Sequence, residues 1–200
     1  MRPLTALAPL ALLTALTLAS PGQAAPDTNP ANMPAGTYAL EKSHASLIAR
    51  VQHLGMASYT MRFNRFEASY QWDPGRPEAA SLTVSIDMTS LDVGDPKTSQ
   101  KFARDFLKAD DHPKATFVST GIVQGEGGRG TITGDLTFRG VTRPVTLDVV
   151  FRGYEAGLLG RRAGFSATGR FKRSDFGSRE FGQFAGDEIE LVIEVEFLKK

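Results

Sequence analysis

The sequence contains no cysteine among its 200 residues. This absence excludes disulfide bonds, cysteine-ligated zinc, iron–sulfur clusters, thiol nucleophiles and a lipoprotein-type lipidated cysteine. Net charge is nearly absent as well, because 23 basic and 22 acidic residues leave a formal charge of +1. A dedicated nucleic-acid-binding domain shows a strong basic excess, so we expect no nucleic-acid partner.

Motifs for catalysis and cofactor binding are equally scarce. The three histidines, His44, His53 and His112, form neither an HExxH nor an HxH pattern, so a metal site would have to be assembled in space. No G-x-S-x-G elbow is present, and the glycine-rich stretch 125–130 lacks the Gly-Lys-Ser/Thr ending of a phosphate-binding loop. The sequence therefore predicts no catalytic residue, no metal and no cofactor.

The first residues have the features of a targeting segment. An apolar, helix-prone run at 4–19 follows Arg2, and small residues stand at Gly22 and Ala24. This pattern predicts a signal peptide at 1–24, cleaved after Ala24, with export to the periplasm or secretion. Cleavage after Ala25 and an uncleaved anchor are the alternatives.

Alternating strands dominate the rest of the chain. The stretch 25–36 has three prolines and no periodicity, which predicts a flexible spacer before a folded domain at 37–200. The clearest strand is 187–197, where apolar residues alternate with mostly acidic ones. Further runs lie at 46–53, 61–72, 81–88, 115–120, 131–139, 145–151 and 163–172.

One stretch, 96–109, has helical spacing, and Asp95 is its candidate N-cap. Between Phe63 and Phe66 the strand alternation changes parity, which predicts a bulge or bend. Eight amphipathic strands with one short α-helix predict an all-β, eight-stranded antiparallel barrel. A two-sheet sandwich is the alternative, since periodicity does not report closure.

Several ordered motifs resemble one protein family. The segment 134–145, GDLTFRGVTRPV, is similar to the G-x-L-T-x-R-G-V-T-x-P-V signature of YceI-like proteins, and 173–177 matches their R-x-D-F-G motif. The resemblance implies a lipocalin-like barrel and a periplasmic or secreted, non-catalytic protein that binds polyisoprenoids such as the chains of isoprenoid quinones. Ala49 stands where phenylalanine is common in the family, and this exchange would enlarge the cavity.

These expectations define a candidate site. Arg161 and Arg162 lie in a glycine-flanked stretch with no acid nearby in sequence, so they are candidate contacts for an anionic head group. The alternative function is an enzyme acting on a prenylated substrate, with His53 or His44 as the acid–base group. Other expected partners are the inner membrane or a membrane redox protein, in transient contact, and a second copy in a homodimer. The residues predicted to line a lipid cavity are Leu47, Val51, Phe63, Leu82, Val84, Phe117, Leu136, Phe138, Leu147 and Phe165.

Overall fold

The computed structural model describes residues 25–157 and 160–200, so the predicted signal peptide at 1–24 lies outside the described residues. Within these ranges the chain forms ten strands and one α-helix. The strands are β1 Gly36–His53, β2 Ala57–Phe63, β3 Phe66–Trp72, β4 Ser81–Asp87, β5 Leu91–Asp92, β6 Lys114–Gln124, β7 Arg129–Phe138, β8 Val141–Gly157, β9 Gly160–Lys172 and β10 Ala185–Lys199, and the helix α1 is Pro96–Asp105.

Eight of these strands close into a barrel. The hydrogen-bonded order runs β1-β3-β4-β6-β7-β8-β9-β10, and β10 pairs again with β1. Every pairing along this ring is antiparallel. The ring therefore confirms the predicted eight-stranded barrel and rules out the open two-sheet sandwich.

The predicted bend between Phe63 and Phe66 separates β2 from β3. Strand β2 pairs with the second half of β1 and β3 with its beginning, so the two are halves of one interrupted strand. The helix begins as predicted, with the Asp95 carboxylate accepting the Thr98 amide at 2.8 Å. It ends at Asp105 rather than at 109. Lys108 adopts a left-handed backbone (φ 54°), and the Ala109 amide turns back to the Ala103 carbonyl at 2.9 Å.

One end of the barrel is covered by the chain that precedes β1. The Trp72 indole donates to the Met33 carbonyl at 3.0 Å, and the Tyr38 hydroxyl donates to Pro34 at 2.7 Å. Asp27 exchanges two backbone hydrogen bonds with Tyr154 in β8. The stretch expected to be a flexible spacer thus packs against the barrel, because Met33 is buried there among aromatic side chains.

The turn between β7 and β8 gives a stability prediction. Arg139 and Gly140 both have positive φ, and a Cβ on Gly140 would lie 2.7 Å from the His112 ring. A two-residue hairpin with this geometry favours glycine. Gly140→Val should therefore lower the free energy of unfolding by about 1–3 kcal/mol in urea titration. Gly121→Val is the matched control, since Gly121 has open space around it; equal losses in both variants would contradict the prediction.

Candidate functional site

The barrel encloses a cavity of about 530 Å³ lined almost entirely by apolar side chains. The inward residues of β10, which run from Ile189 to Phe197, show whether the interior is empty or filled by side chains. The two end residues are buried, whereas Leu191, Ile193 and Val195 between them are only partly covered. Inward side chains that stay partly uncovered border empty space, so the interior is a cavity and not a filled core.

All the residues predicted to line the cavity do border it. They come from six of the eight strands that form the ring, and from β2, because the period of two directs alternate side chains inward. That these side chains contact a lipid remains a prediction. The residues placed on the wall are Leu47, Val51, Phe63, Leu82, Val84, Phe117, Leu136, Phe138, Leu147 and Phe165.

Aromatic rings form the floor of the cavity, next to the covered end of the barrel. Phe165 lies at the centre of this cluster, with its ring centroid 5.6 Å from Tyr70, 5.3 Å from Phe151 and 5.9 Å from Phe197. Burial raises the pKa of Tyr70, so its hydroxyl stays neutral. The floor is therefore uncharged, and it suits the end of an apolar chain.

The opposite end of the barrel, where β1 ends and β10 begins, is the mouth of the cavity. Its wall includes an arc of rings with centroid distances of 5.7 Å (Tyr59–Phe102), 4.7 Å (Phe102–Phe106) and 4.6 Å (Phe106–Phe181). The helix contributes the two central rings. Apart from Tyr70 in the floor, the polar side chains lining the cavity gather at this end: Gln52, His53, Tyr59, Lys101, Arg173 and Ser178.

Arg173 holds the loop 177–184, which forms one side of the mouth. Its buried guanidinium donates to the carbonyls of Ser178 (3.2 Å), Glu180 (2.8 Å) and Ala185 (3.1 Å), and to that of Gly186 (2.8 Å). One side chain thereby fixes both ends of the loop. Sequence reasoning identified Arg173 only as part of a family motif and did not predict this role.

Glu180 ties the same loop to the β7–β8 turn. Its carboxylate accepts two hydrogen bonds from the Arg139 guanidinium, at 3.0 and 3.1 Å. This contact lowers the pKa of Glu180 from 4.5 to about 2. The carboxylate is therefore ionised and paired over the whole physiological range of pH.

The lowered pKa of Glu180 predicts how stability depends on pH. Because the folded state binds the proton less tightly than the unfolded state, the contribution of Glu180 is complete above about pH 4.5 and is lost as the pH falls towards about 2. Glu180→Gln should be less stable than the wild type at neutral pH, and the two melting temperatures should converge in acid. Parallel melting curves across this range would contradict the assignment.

Arg161 and Arg162, the expected head-group contacts, lie at the opposite end from the mouth. They belong to the first residues of β9, and neither lines the cavity. The Arg162 guanidinium donates to Glu196 at 2.8 Å across the sheet. The sequence placed them in a loop without acids, but strand pairing brings a carboxylate from β10 beside them. The geometry therefore does not support a head-group role for this pair.

His44 and His53, the candidate acid–base groups of the alternative enzymatic function, do not form a catalytic arrangement with their neighbours. His44 lies on β1 beside Glu41 and Ser43, but its Nδ1 faces both the Glu41 carboxylate and the Ser43 hydroxyl (3.3 Å). A relay needs the two partners on opposite ring nitrogens, so this trio is an exposed polar cluster. His53 lies at the mouth, with its ring 6.4 Å from Tyr59.

Sequence reasoning missed several of the residues that surround the mouth. Tyr59 precedes the predicted strand 61–72, while Phe181 and Phe184 lie in a stretch without periodicity. The available signal was the pair of phenylalanines in the glycine-containing segment 181–184, since two large apolar residues are unusual in an exposed loop. In the described part of the chain, no group of three or more histidine or acidic side chains is placed to hold a metal, and no helix has the length and apolarity to span a membrane.

Fold and cavity together define a class: a small antiparallel barrel with a deep apolar interior that opens at one end. A family model described as the YceI-like domain matches residues 38–197. The chain is 37% identical over 166 residues to protein YceI of Shigella flexneri, covering 81% of this chain and 86% of the relative. The protein therefore belongs to the YceI-like family.

Solved structures agree with this assignment. BcnA of Burkholderia cenocepacia superimposes with a TM-score of 0.70 at 25% identity, covering 78% of this chain and 98% of that one. A polyisoprenoid binding domain from Saccharophagus degradans, implicated in plant cell wall breakdown, superimposes with a TM-score of 0.62. It covers 82% of this chain and 98% of its own, and at 13% identity it supports the fold alone.

Proposed function

We propose that this protein is a periplasmic, non-catalytic binding protein that carries or stores a polyisoprenoid, such as an isoprenoid quinone. The observation that carries the proposal is the apolar cavity, closed by an aromatic floor and open at the opposite end. A prenyl chain offers apolar surface and almost no hydrogen-bonding groups. Its binding site therefore needs a long apolar interior and no placed catalytic side chains.

The dimensions of the cavity favour a linear ligand. The inward residues of β10 span eight residue steps, from Ile189 to Phe197, which is about 26 Å of strand. Each methylene-sized group buried along this path contributes roughly 0.8 kcal/mol. Several isoprene units would thus outweigh the cost of association and give micromolar affinity or better. The Saccharophagus degradans neighbour, which shares the fold, is described as a polyisoprenoid binding domain, and we extend that ligand class to this chain as part of the proposal.

The polar end of the ligand would lie at the mouth. Gln52, His53, Tyr59 and Lys101 all border the cavity there, and their side chains offer donors for a carbonyl or phosphate oxygen. This placement replaces the one expected at Arg161 and Arg162. The floor, by contrast, presents aromatic and aliphatic side chains to the other end of the chain.

Export is part of the proposal, and it rests on the apolar run 4–19 and the small residues before Ala25. Expression of the full-length chain in a bacterium should release a form that starts at or near Ala25 into the periplasmic fraction. N-terminal sequencing of that fraction measures this directly. Recovery only from detergent-solubilised membranes, with Met1 intact, would contradict export.

The deciding experiment for ligand binding is lipid extraction followed by titration. Protein purified from the periplasm should release an isoprenoid that mass spectrometry identifies, and delipidated protein should bind a prenyl quinone saturably. The bound molecule should have the same mass after prolonged incubation, since no chemistry is expected. A folded protein with no co-purifying isoprenoid and no saturable binding would overturn the proposal. Conversion of the ligand, abolished by His53→Ala, would establish the enzymatic alternative.

A further inference from the structure

We propose that the mouth of the cavity docks onto a lipid bilayer, so that the ligand passes between membrane and cavity without crossing water. This inference rests on the proposed function, because it concerns how the same cavity is filled. The docking surface is an apolar rim of four side chains, Leu54, Met56, Phe181 and Phe184. A bilayer containing anionic lipids is the partner whose chemistry matches this surface.

The rim is a local concentration of exposed apolar residues. Of the six large hydrophobic residues exposed in the described part of the chain, four form the rim, with exposures from 43% to 78%. Leu54 and Met56 lie in the β1–β2 turn, and Phe181 and Phe184 lie in the loop 177–184. The Leu54 amide donates to the Phe184 carbonyl at 2.8 Å, so turn and loop are adjacent. Contiguous exposed apolar surface of this kind marks an interaction site.

The backbone holds rim residues in conformations that apolar side chains rarely adopt. Leu54 has φ 53° and Phe181 has φ 59°, a left-handed region where glycine or asparagine would be less strained. The Phe181 carbonyl also accepts the amides of Phe184 and Ala185, at 2.8 and 2.9 Å. Strained turns thus carry large apolar side chains towards solvent, where folding alone would favour small or polar ones.

Basic side chains lie beside the rim. The Lys101 ammonium is 5.7 Å from the centre of the Phe181 ring, and Arg179 is exposed in the same loop. Bases outnumber the neighbouring carboxylates, since Glu180 pairs with Arg139 and the single carboxylate of Asp105 is shared by Lys101 and Arg104. Apolar side chains with adjacent basic groups match the interface of a bilayer, where acyl chains lie beneath anionic phosphates.

The position of the rim favours a bilayer over a second copy or another protein. The rim borders the mouth through which the ligand must pass, and a protein seated on it would obstruct that opening. A bilayer instead supplies the ligand itself. Because each methylene group exposed to water costs roughly 0.8 kcal/mol, a prenyl chain that slides directly from acyl chains into the cavity avoids a large barrier.

Vesicle binding by the full mature protein tests the inference. The wild type should sediment together with vesicles of phosphatidylcholine and phosphatidylglycerol. Leu54→Ser/Met56→Ser should weaken this binding on the order of tenfold. The matched control, Val118→Ser/Val123→Ser, removes apolar residues that are 48% and 65% exposed on the barrel side, and it should bind like the wild type. Arg179→Gln should weaken binding about fivefold, and only when phosphatidylglycerol is present.

A soluble short-chain prenyl quinone separates this inference from the proposed function. Leu54 and Met56 do not line the cavity, so their double variant should bind that quinone like the wild type. Quinone binding without vesicle binding by the wild type would overturn membrane docking and leave the carrier function intact. Loss of both would overturn both. A rim variant that binds vesicles normally but changes a dimer into a monomer would assign the rim to contacts between copies instead.

Discussion

Val84→Trp should reduce the affinity for a prenyl quinone more than tenfold while the barrel remains folded. Val84 lies near the middle of β4 and borders the cavity. An indole at this position would occupy space that the chain needs. Displacing only two methylene-sized groups costs about 1.6 kcal/mol, and a loss of 1.4 kcal/mol is already tenfold in affinity. Fluorescence or calorimetric titration of the delipidated protein measures the change.

The matched control for this substitution is Val118→Trp. Val118 lies on the adjacent strand β6, paired with Thr83, and its side chain points outward. Val118→Trp introduces the same bulky side chain on the outer face of the barrel. The affinity of this variant for the quinone should therefore equal that of the wild type. Overpacking at Val84 itself is expected to lower stability by about 1–3 kcal/mol, so melting curves must accompany the titration. Unchanged affinity in a folded Val84→Trp variant would show that the ligand does not occupy the cavity.

The cavity wall could be predicted from sequence because the strand period is local. In β10 the residues at 189, 191, 193, 195 and 197 all face the cavity, as the alternation requires. The predicted strands were nevertheless too short. Strand β8 extends over Val141–Gly157 rather than 145–151, and β1 starts at Gly36 rather than at 46. Register shifts between Leu40 and Ala45, and between Phe151 and Gly153, interrupt the alternation.

Which end of the barrel is open could not be predicted from sequence. That property depends on contacts between distant segments: Met33 meets Trp72 at one end, and Arg173 gathers the loop 177–184 at the other. Neither contact has a periodic signal. A basic pair near a glycine, such as Arg161 and Arg162, was therefore a plausible head-group site until the pairing of β9 with β10 placed Arg162 against Glu196.

Arg173→Ala should lower the free energy of unfolding by about 3–5 kcal/mol, the largest stability effect that we expect. The substitution leaves the carbonyls of Ser178, Glu180, Ala185 and Gly186 without their charged donor. Hydrogen bonds to a charged group contribute about 1.5–3 kcal/mol each. The expected loss of unfolding free energy is smaller than the combined contribution of four such bonds, because water can replace the guanidinium where the loop reaches the surface.

The same substitution should also weaken ligand binding, since the loop 177–184 carries Phe181 and Phe184 at the mouth. Arg173→Lys should not restore stability, because a single ammonium cannot reach four carbonyls arranged around a planar guanidinium. Lys172→Ala removes the neighbouring, exposed base and should change stability by less than about 0.5 kcal/mol. If urea titration gave Arg173→Ala and Lys172→Ala the same stability, Arg173 would not be what holds the mouth of the cavity in place.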